Sequence, residues 1–222
     1  AASVLVGQEI LLTSPVTALL ALLRLMGTGA FYGSVAGSFG RILLGFALAA
    51  ILGAALAALA AAFDPVAALL RPLMSTVKAT PVASFVILAL VWIRARNLSV
   101  FTAFLMVLPV IYQFVLSGLG SADTKLLEMA RVFNVGKWNT ARAIYVPAAF
   151  PYFLSAAQTS LGICWKAGIA AEVIGQPAGS IGENLYRAKL FLATDELFAW
   201  TIAIILLSVL FEKTVVVLIN KL

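Results

Sequence analysis

Long uncharged stretches alternate with short clusters of charge along this chain, and their lengths predict its elements. A helix rising about 1.5 Å per residue needs about 20 residues to cross about 30 Å of hydrocarbon. Residues 42–62 run uncharged for 21 positions and stop at Asp64-Pro65; residues 97–122 run for 26 and residues 143–165 for 23. Each predicts one spanning helix. Residues 79–93 supply only 15, so a span there continues back through 66–77, bent at Pro72 and Pro81, with Arg71 and Lys78 near its inner end. Residues 197–211 also supply 15; Glu212 and Lys213 snorkel at its end while 214–219 carry the helix on. Residues 10–23 give 14 uncharged positions interrupted by Pro15, which predicts an interfacial or re-entrant piece. The expected fold is all-α and polytopic, with five spans in one transmembrane domain over 1–222.

Composition narrows the function classes. Of the 222 residues, 63% are hydrophobic and 11% charged, against about 45–50% and about 25% in a soluble domain. Disorder needs the opposite balance. Histidine is absent and cysteine occurs once, at Cys164, so neither a His/Cys metal cluster nor a Ser-His or Cys-His nucleophile pair is available. Cys164 reads as a small buried hydrophobe. The Gly136-Lys137 pair is followed by Trp138 and is no phosphate-cradling loop. No cofactor is therefore expected on this chain, and ATP with its magnesium would belong to a partner. The first residues lack the basic stretch of a signal peptide and read as the tail of a hydrophobic segment, leaving room for a sixth, N-terminal span.

The net charge of +6 points to basic cytoplasmic loops rather than to nucleic acid. The longest polar stretch, 119–147, carries Lys125, Arg131, Lys137 and Arg142 against Asp123 and Glu128. Placing it inside puts eight basic residues inside and six outside, with Lys166 within a span. The C-terminus is then cytoplasmic, 1–33 forms an outer or interfacial segment, and 173–196 forms an outer loop. Ala49, Gly53, Ala57 and Ala61 recur every four residues, which aligns small side chains for close helix approach.

The stretch 123–145 is no simple linker. Asp123 is placed to cap a helix with Leu126, Met129, Ala130 and Phe133 on one stripe, and Glu128 is spaced to pair with Arg131. Asn134 and Gly136 break that helix, since both tolerate left-handed backbone. A second helical stretch, 137–145, runs to Pro147. Two short amphipathic helices joined by a tight bend make a knob whose apolar face needs lipid or a groove on another protein.

Glu128-Met129-Ala130, then Asn134, nine residues, and Ile144-Tyr145-Val146-Pro147 resemble the "EAA" signature of type I ABC-importer permeases. The spacing matches throughout, with Met129, Asn134 and Val146 as departures. The stretches Ser38-Phe39-Gly40-Arg41 and Ala170-Ala171-Glu172-Val173-Ile174-Gly175 are similar to the nitrate/sulfonate/taurine group of that family. The resemblance implies a permease core with cytoplasmic coupling helices, in the plasma (inner) membrane of a prokaryote. It also implies a second permease copy, expected as a homodimer, together with a cytoplasmic ABC ATPase dimer and an extracytoplasmic solute-binding protein. Glu128, Met129, Ala130 and Arg131 would then couple to the ATPase, with Asn134 and Gly136 setting the turn and Pro147 opening the next span.

Lys166 follows a long uncharged run, and ionisable groups at membrane depth line paths or meet partners. A lysine on a path attracts a sulfonate, carboxylate or phosphate, which makes a small anionic solute the expected cargo. Trp165, Tyr112, Gln113 and Glu172 are the other candidate path residues, Glu172 lying near a boundary and off the Lys166 face. A secondary transporter or channel is the alternative, disfavoured by the scarcity of intramembrane carboxylates and of an inverted repeat.

Overall fold

The computed structural model describes residues 13–219, and among these the secondary structure is entirely helical. The helices are α1 (Pro15–Met26), α2 (Gly29–Ala62), α3 (Asp64–Ala79), α4 (Val82–Ala89), α5 (Ala95–Gly120), α6 (Thr124–Val132), α7 (Lys137–Thr140), α8 (Val146–Gly175), α9 (Ile181–Leu190) and α10 (Thr194–Ile219). A π-helical turn, Ala141–Tyr145, joins α7 to α8. The expected piece at 10–23 lies partly outside the described residues; its visible part is α1, which Pro15 begins rather than interrupts. Proline suits the first helical position because its missing N–H has no intrahelical partner there.

At the centre α5 lies between α2 and α8. A Cβ on Gly45 would fall 2.4 Å from the carbonyl oxygen of Val100, and one on Gly53 would fall 3.0 Å from Ile111. Helices α2 and α5 therefore run parallel, touching through Gly45, Ala49, Gly53 and Ala57, all buried. The predicted small-residue face is thus real over three of its four members. Ala61 turns outward and Ala60 replaces it, because 3.6 residues per turn drifts away from a strict four-residue repeat. Gly118 against Ala149 and Gly175 against Leu98 set α8 antiparallel to α5. Phe31 stacks on Trp200 at 5.2 Å, and Phe39 meets Phe211 edge-on at 5.1 Å, so α10 follows α2 in direction. The bundle has two ends. One holds the link between α5 and α8, and the other holds α9.

Helices α2, α5 and α10 are long and apolar enough to cross a membrane, and α3 with α4 makes a fourth crossing if the pair is one span. That pair bends by 100°. The bend sits at Thr80-Pro81, where Thr80 takes the extended conformation that a following proline imposes; Pro72 stays inside α3. Helix α8 has 30 residues, about 45 Å of length, but Gln158, Lys166 and Glu172 lower its hydropathy below that of the others. The first span also starts earlier than expected. Arg41 lies inside α2 rather than ahead of it, for a reason that the other end of the bundle supplies.

Candidate functional site

The link between α5 and α8 is built from its own caps. Asp123 accepts a hydrogen bond from the Lys125 N–H at 2.8 Å and starts α6. At its far end the Val135 N–H donates to the Ala130 carbonyl at 2.9 Å, and the Asn134 N–H donates to the Arg131 carbonyl at 3.1 Å. With Asn134 at φ 52°, this is a Schellman motif with asparagine in the left-handed position. Gly136, expected to share that role, has φ −58° and caps α7 instead. After α7 the backbone stays helical through the π turn into α8, where Pro147 lies in the first turn. An elbow results, continuous with a bundle helix on one side.

The elbow's apolar residues do not all turn inward. Ala130 is buried and Leu127 half-buried, whereas Leu126, Met129 and Phe133 of the predicted stripe are exposed. Val132, Phe133 and Trp138 are 77%, 74% and 79% exposed. Glu128 is exposed on the same helix, and no ion pair joins it to Arg131 among the described residues. The two arms enclose a cleft of about 450 Å³ lined by Arg131, Lys137, Thr140 and Tyr145 among others. Helix α6 packs only marginally on other helices.

The candidate path residues scatter. Lys166 is exposed on α8. Trp165 is buried against Phe211, and its indole N–H donates to the Ile204 carbonyl at 3.2 Å, so it packs α8 onto α10. Tyr112 is buried on α5, with no partner for its hydroxyl among the described residues. Gln113 beside it is exposed and accepts a hydrogen bond from Lys78. These two line a cleft of about 400 Å³ with Arg71, Ser75 and Ser117.

Glu172 differs most from expectation. It is fully buried, and Arg41, 17% exposed, bonds its Oε1 through Nε at 3.0 Å and Nη2 at 2.8 Å. Ser38 donates to its Oε2 at 2.6 Å and accepts from the Ile181 N–H at 3.0 Å. The carboxylate thus sits against the first turn of α9, where backbone N–H groups and the helix dipole favour negative charge. Gly182 makes this possible, since a Cβ there would fall 2.4 Å from the Glu172 Cβ. Paired in this way, Arg41 is held within α2 rather than ahead of it. The sequence reading missed the pair, although Ser38, Arg41 and Glu172 lie in the two stretches that carried the resemblance. The Ser180-x-x-Glu183 spacing was a further signal: the Glu183 N–H donates to the Ser180 side chain at 2.9 Å, fixing the start of α9.

Residues 49–221 match the family described as "Binding-protein-dependent transport system inner membrane component". The chain belongs to that family. It is 30% identical over 214 residues to the Bacillus subtilis (strain 168) protein named as an aliphatic sulfonates transport permease, SsuC, covering 95% of this chain and 76% of that one. It is 24% identical over 179 residues to the taurine transport system permease protein TauC of Escherichia coli (strain K12), covering 80% and 65%. With the bicarbonate transport system permease protein CmpB of Synechococcus elongatus it shares 27% over 161 residues, covering 72% and 58%. A crystal structure of an amino acid ABC transporter with histidines superposes with a TM-score of 0.70 at 15% identity, covering 90% of this chain and 98% of that one; it shows the same fold. The chain is an ABC-importer permease of the nitrate/sulfonate/taurine group, a multi-pass plasma membrane protein that transports rather than catalyses.

Proposed function

We propose that this permease pairs with a second copy around a solute path and is driven by a separate cytoplasmic ATPase dimer that grips the elbow 123–145. An extracytoplasmic solute-binding protein delivers the cargo. One observation carries the reading. The elbow is capped at Asp123 and Asn134, yet it presents Met129, Phe133 and Trp138 to the exterior, uncovered among the described residues. Exposed apolar residues on a well-ordered element mark a partner surface. The elbow joins α5 to α8, so its displacement reaches two central helices directly.

In this reading α8 is the fifth crossing, and the elbow and the end of α10 share the cytoplasmic side, since α2, α5 and α10 run in one direction. The outer segment is α9 with its flanking turns; Val173 belongs to α8, and residues 194–196 already belong to α10. The cargo is a small anionic solute, as sulfonate and bicarbonate are for the named relatives, with Lys166 on its route. The ATPase contact is centred on Glu128, Met129, Ala130 and Arg131, with ATP and magnesium held by the partner.

The test is Glu128→Lys, beside deletion of 123–145, in the reconstituted importer. Both should abolish ATP hydrolysis coupled to transport while the permease still folds and inserts. Normal transport by either variant would overturn the assignment of the elbow.

A further inference from the structure

The cleft between α3 and α5 has a consistent chemistry. Arg71, Ser75 and Lys78 fall at i, i+4 and i+7, so they share one face of α3. Across the cleft α5 contributes Tyr112 and Gln113, and one turn on Leu116 and Ser117. Among the described residues no carboxylate lines it, and neither Arg71 nor Lys78 has an acidic partner within ion-pair distance. Lys78 instead donates to the Gln113 carbonyl oxygen. That bond leaves the Gln113 amide nitrogen as a donor with no partner among the described residues. Tyr112 is only 4% exposed and its hydroxyl has no partner among the described residues, although a buried hydroxyl left unpaired carries a desolvation cost. A guanidinium, an ammonium and an amide N–H thus line about 400 Å³ beside Tyr112, whose hydroxyl is buried in the wall. Every one is a donor, and they surround a space suited to a group that only accepts.

We propose that this cleft binds the oxyanion head of the transported solute, a sulfonate or (bi)carbonate, on the elbow side of the path. The inference rests on the importer reading above and locates the anion site within it. A guanidinium matches a planar or tetrahedral oxyanion through paired N–H donors, and charge-assisted bonds of this kind are the strong ones. A phospholipid headgroup has the same oxyanion chemistry and would need only the α3 face. The buried phenol and the amide of α5 favour a solute that enters between the helices.

The experiment uses the permease assembled with its ATPase and binding protein in proteoliposomes. ATP-dependent uptake of ethanesulfonate, taurine, bicarbonate and an uncharged sugar is followed for the wild type, Arg71→Gln, Arg71→Lys, Tyr112→Phe and Gln113→Ala. Each measurement is made in pure phosphatidylcholine and with phosphatidylglycerol added. Losing one hydrogen bond to a charged group should lower anion uptake about tenfold or more for Arg71→Gln and Tyr112→Phe. Arg71→Lys should recover part of it, and the effect should be the same in both lipids. Size-exclusion chromatography and copurification of the ATPase check that each variant assembles.

Anion uptake unchanged in assembled Arg71→Gln and Tyr112→Phe overturns the proposal. So does a defect that appears only when phosphatidylglycerol is present, which assigns the cleft to lipid, or a wild type that moves only the uncharged sugar. A wild-type assembly that moves nothing under ATP fails the importer reading itself, an outcome distinct from these. If Arg71→Gln does not assemble, Tyr112→Phe, which removes one oxygen atom, decides alone.

Discussion

The two ends of the bundle satisfy their polar groups in different ways. At the α9 end a buried carboxylate is satisfied across the bundle: Glu172 meets Arg41, Ser38 and the first turn of α9, while Leu190, Phe191 and Leu192 beyond it are exposed. At the elbow end, backbone groups are satisfied by the Asp123 cap and the Schellman turn, while large apolar side chains are left in the open. The buried ion pair of the first end is complete on folding. On the reading proposed above, the second end is completed by a partner. Substitutions at the first should therefore be felt in the stability of the isolated chain, and those at the second in assembly.

The largest effect should come from Glu172→Ala, which strands Arg41 beside α9. Breaking a buried ion pair costs about 3–5 kcal/mol, so the unfolding midpoint in detergent should fall by on the order of 10 °C. A shift under about 2 °C would mean that this end is not held by its charges. Gly45→Ala comes next, since its Cβ would collide with the Val100 carbonyl oxygen. Overpacking costs about 1–3 kcal/mol, visible in the same melt, and no change would argue against the close α2–α5 contact. In the elbow, Asn134→Val forces a β-branched residue into left-handed backbone at about 1–2 kcal/mol; Asn134→Gly should be neutral, and the pair of melts isolates the turn. The smallest effect on the isolated chain belongs to Phe133→Ser, within about 0.5 kcal/mol as for most surface changes. Its effect should appear in reduced copurification with the ATPase. Unchanged assembly in that variant would break the contrast between the ends.

The elements were legible in the sequence where one local signal governed them. Asp123 capped the helix it was expected to cap, and Asn134 took up left-handed backbone because little else in the chain competes for that turn. The small-residue face of α2 was legible for three of its four positions. What eluded the reading was pairing between distant segments. Arg41 was read as lying ahead of the first span because the uncharged run begins at Ile42, and its partner Glu172 lies 131 residues away in sequence. Amphipathic periodicity in α6 located an apolar stripe without revealing which part the chain would cover and which it would leave exposed. The cleft at Arg71, Lys78 and Tyr112 escaped for a similar reason: α3 and α5 come together only through the bend at Pro81.

The wide turn at Ala141–Tyr145 clocks one end of the protein against the other. Because the backbone stays helical from α7 into α8, the azimuth of Trp138 is set by the number of residues between it and the faces of α8. Removing one residue from this turn would swing the outer side of the elbow by about 100°. Both pieces would keep their helices, but on the reading proposed above the handle would point away from the hand meant to pull it.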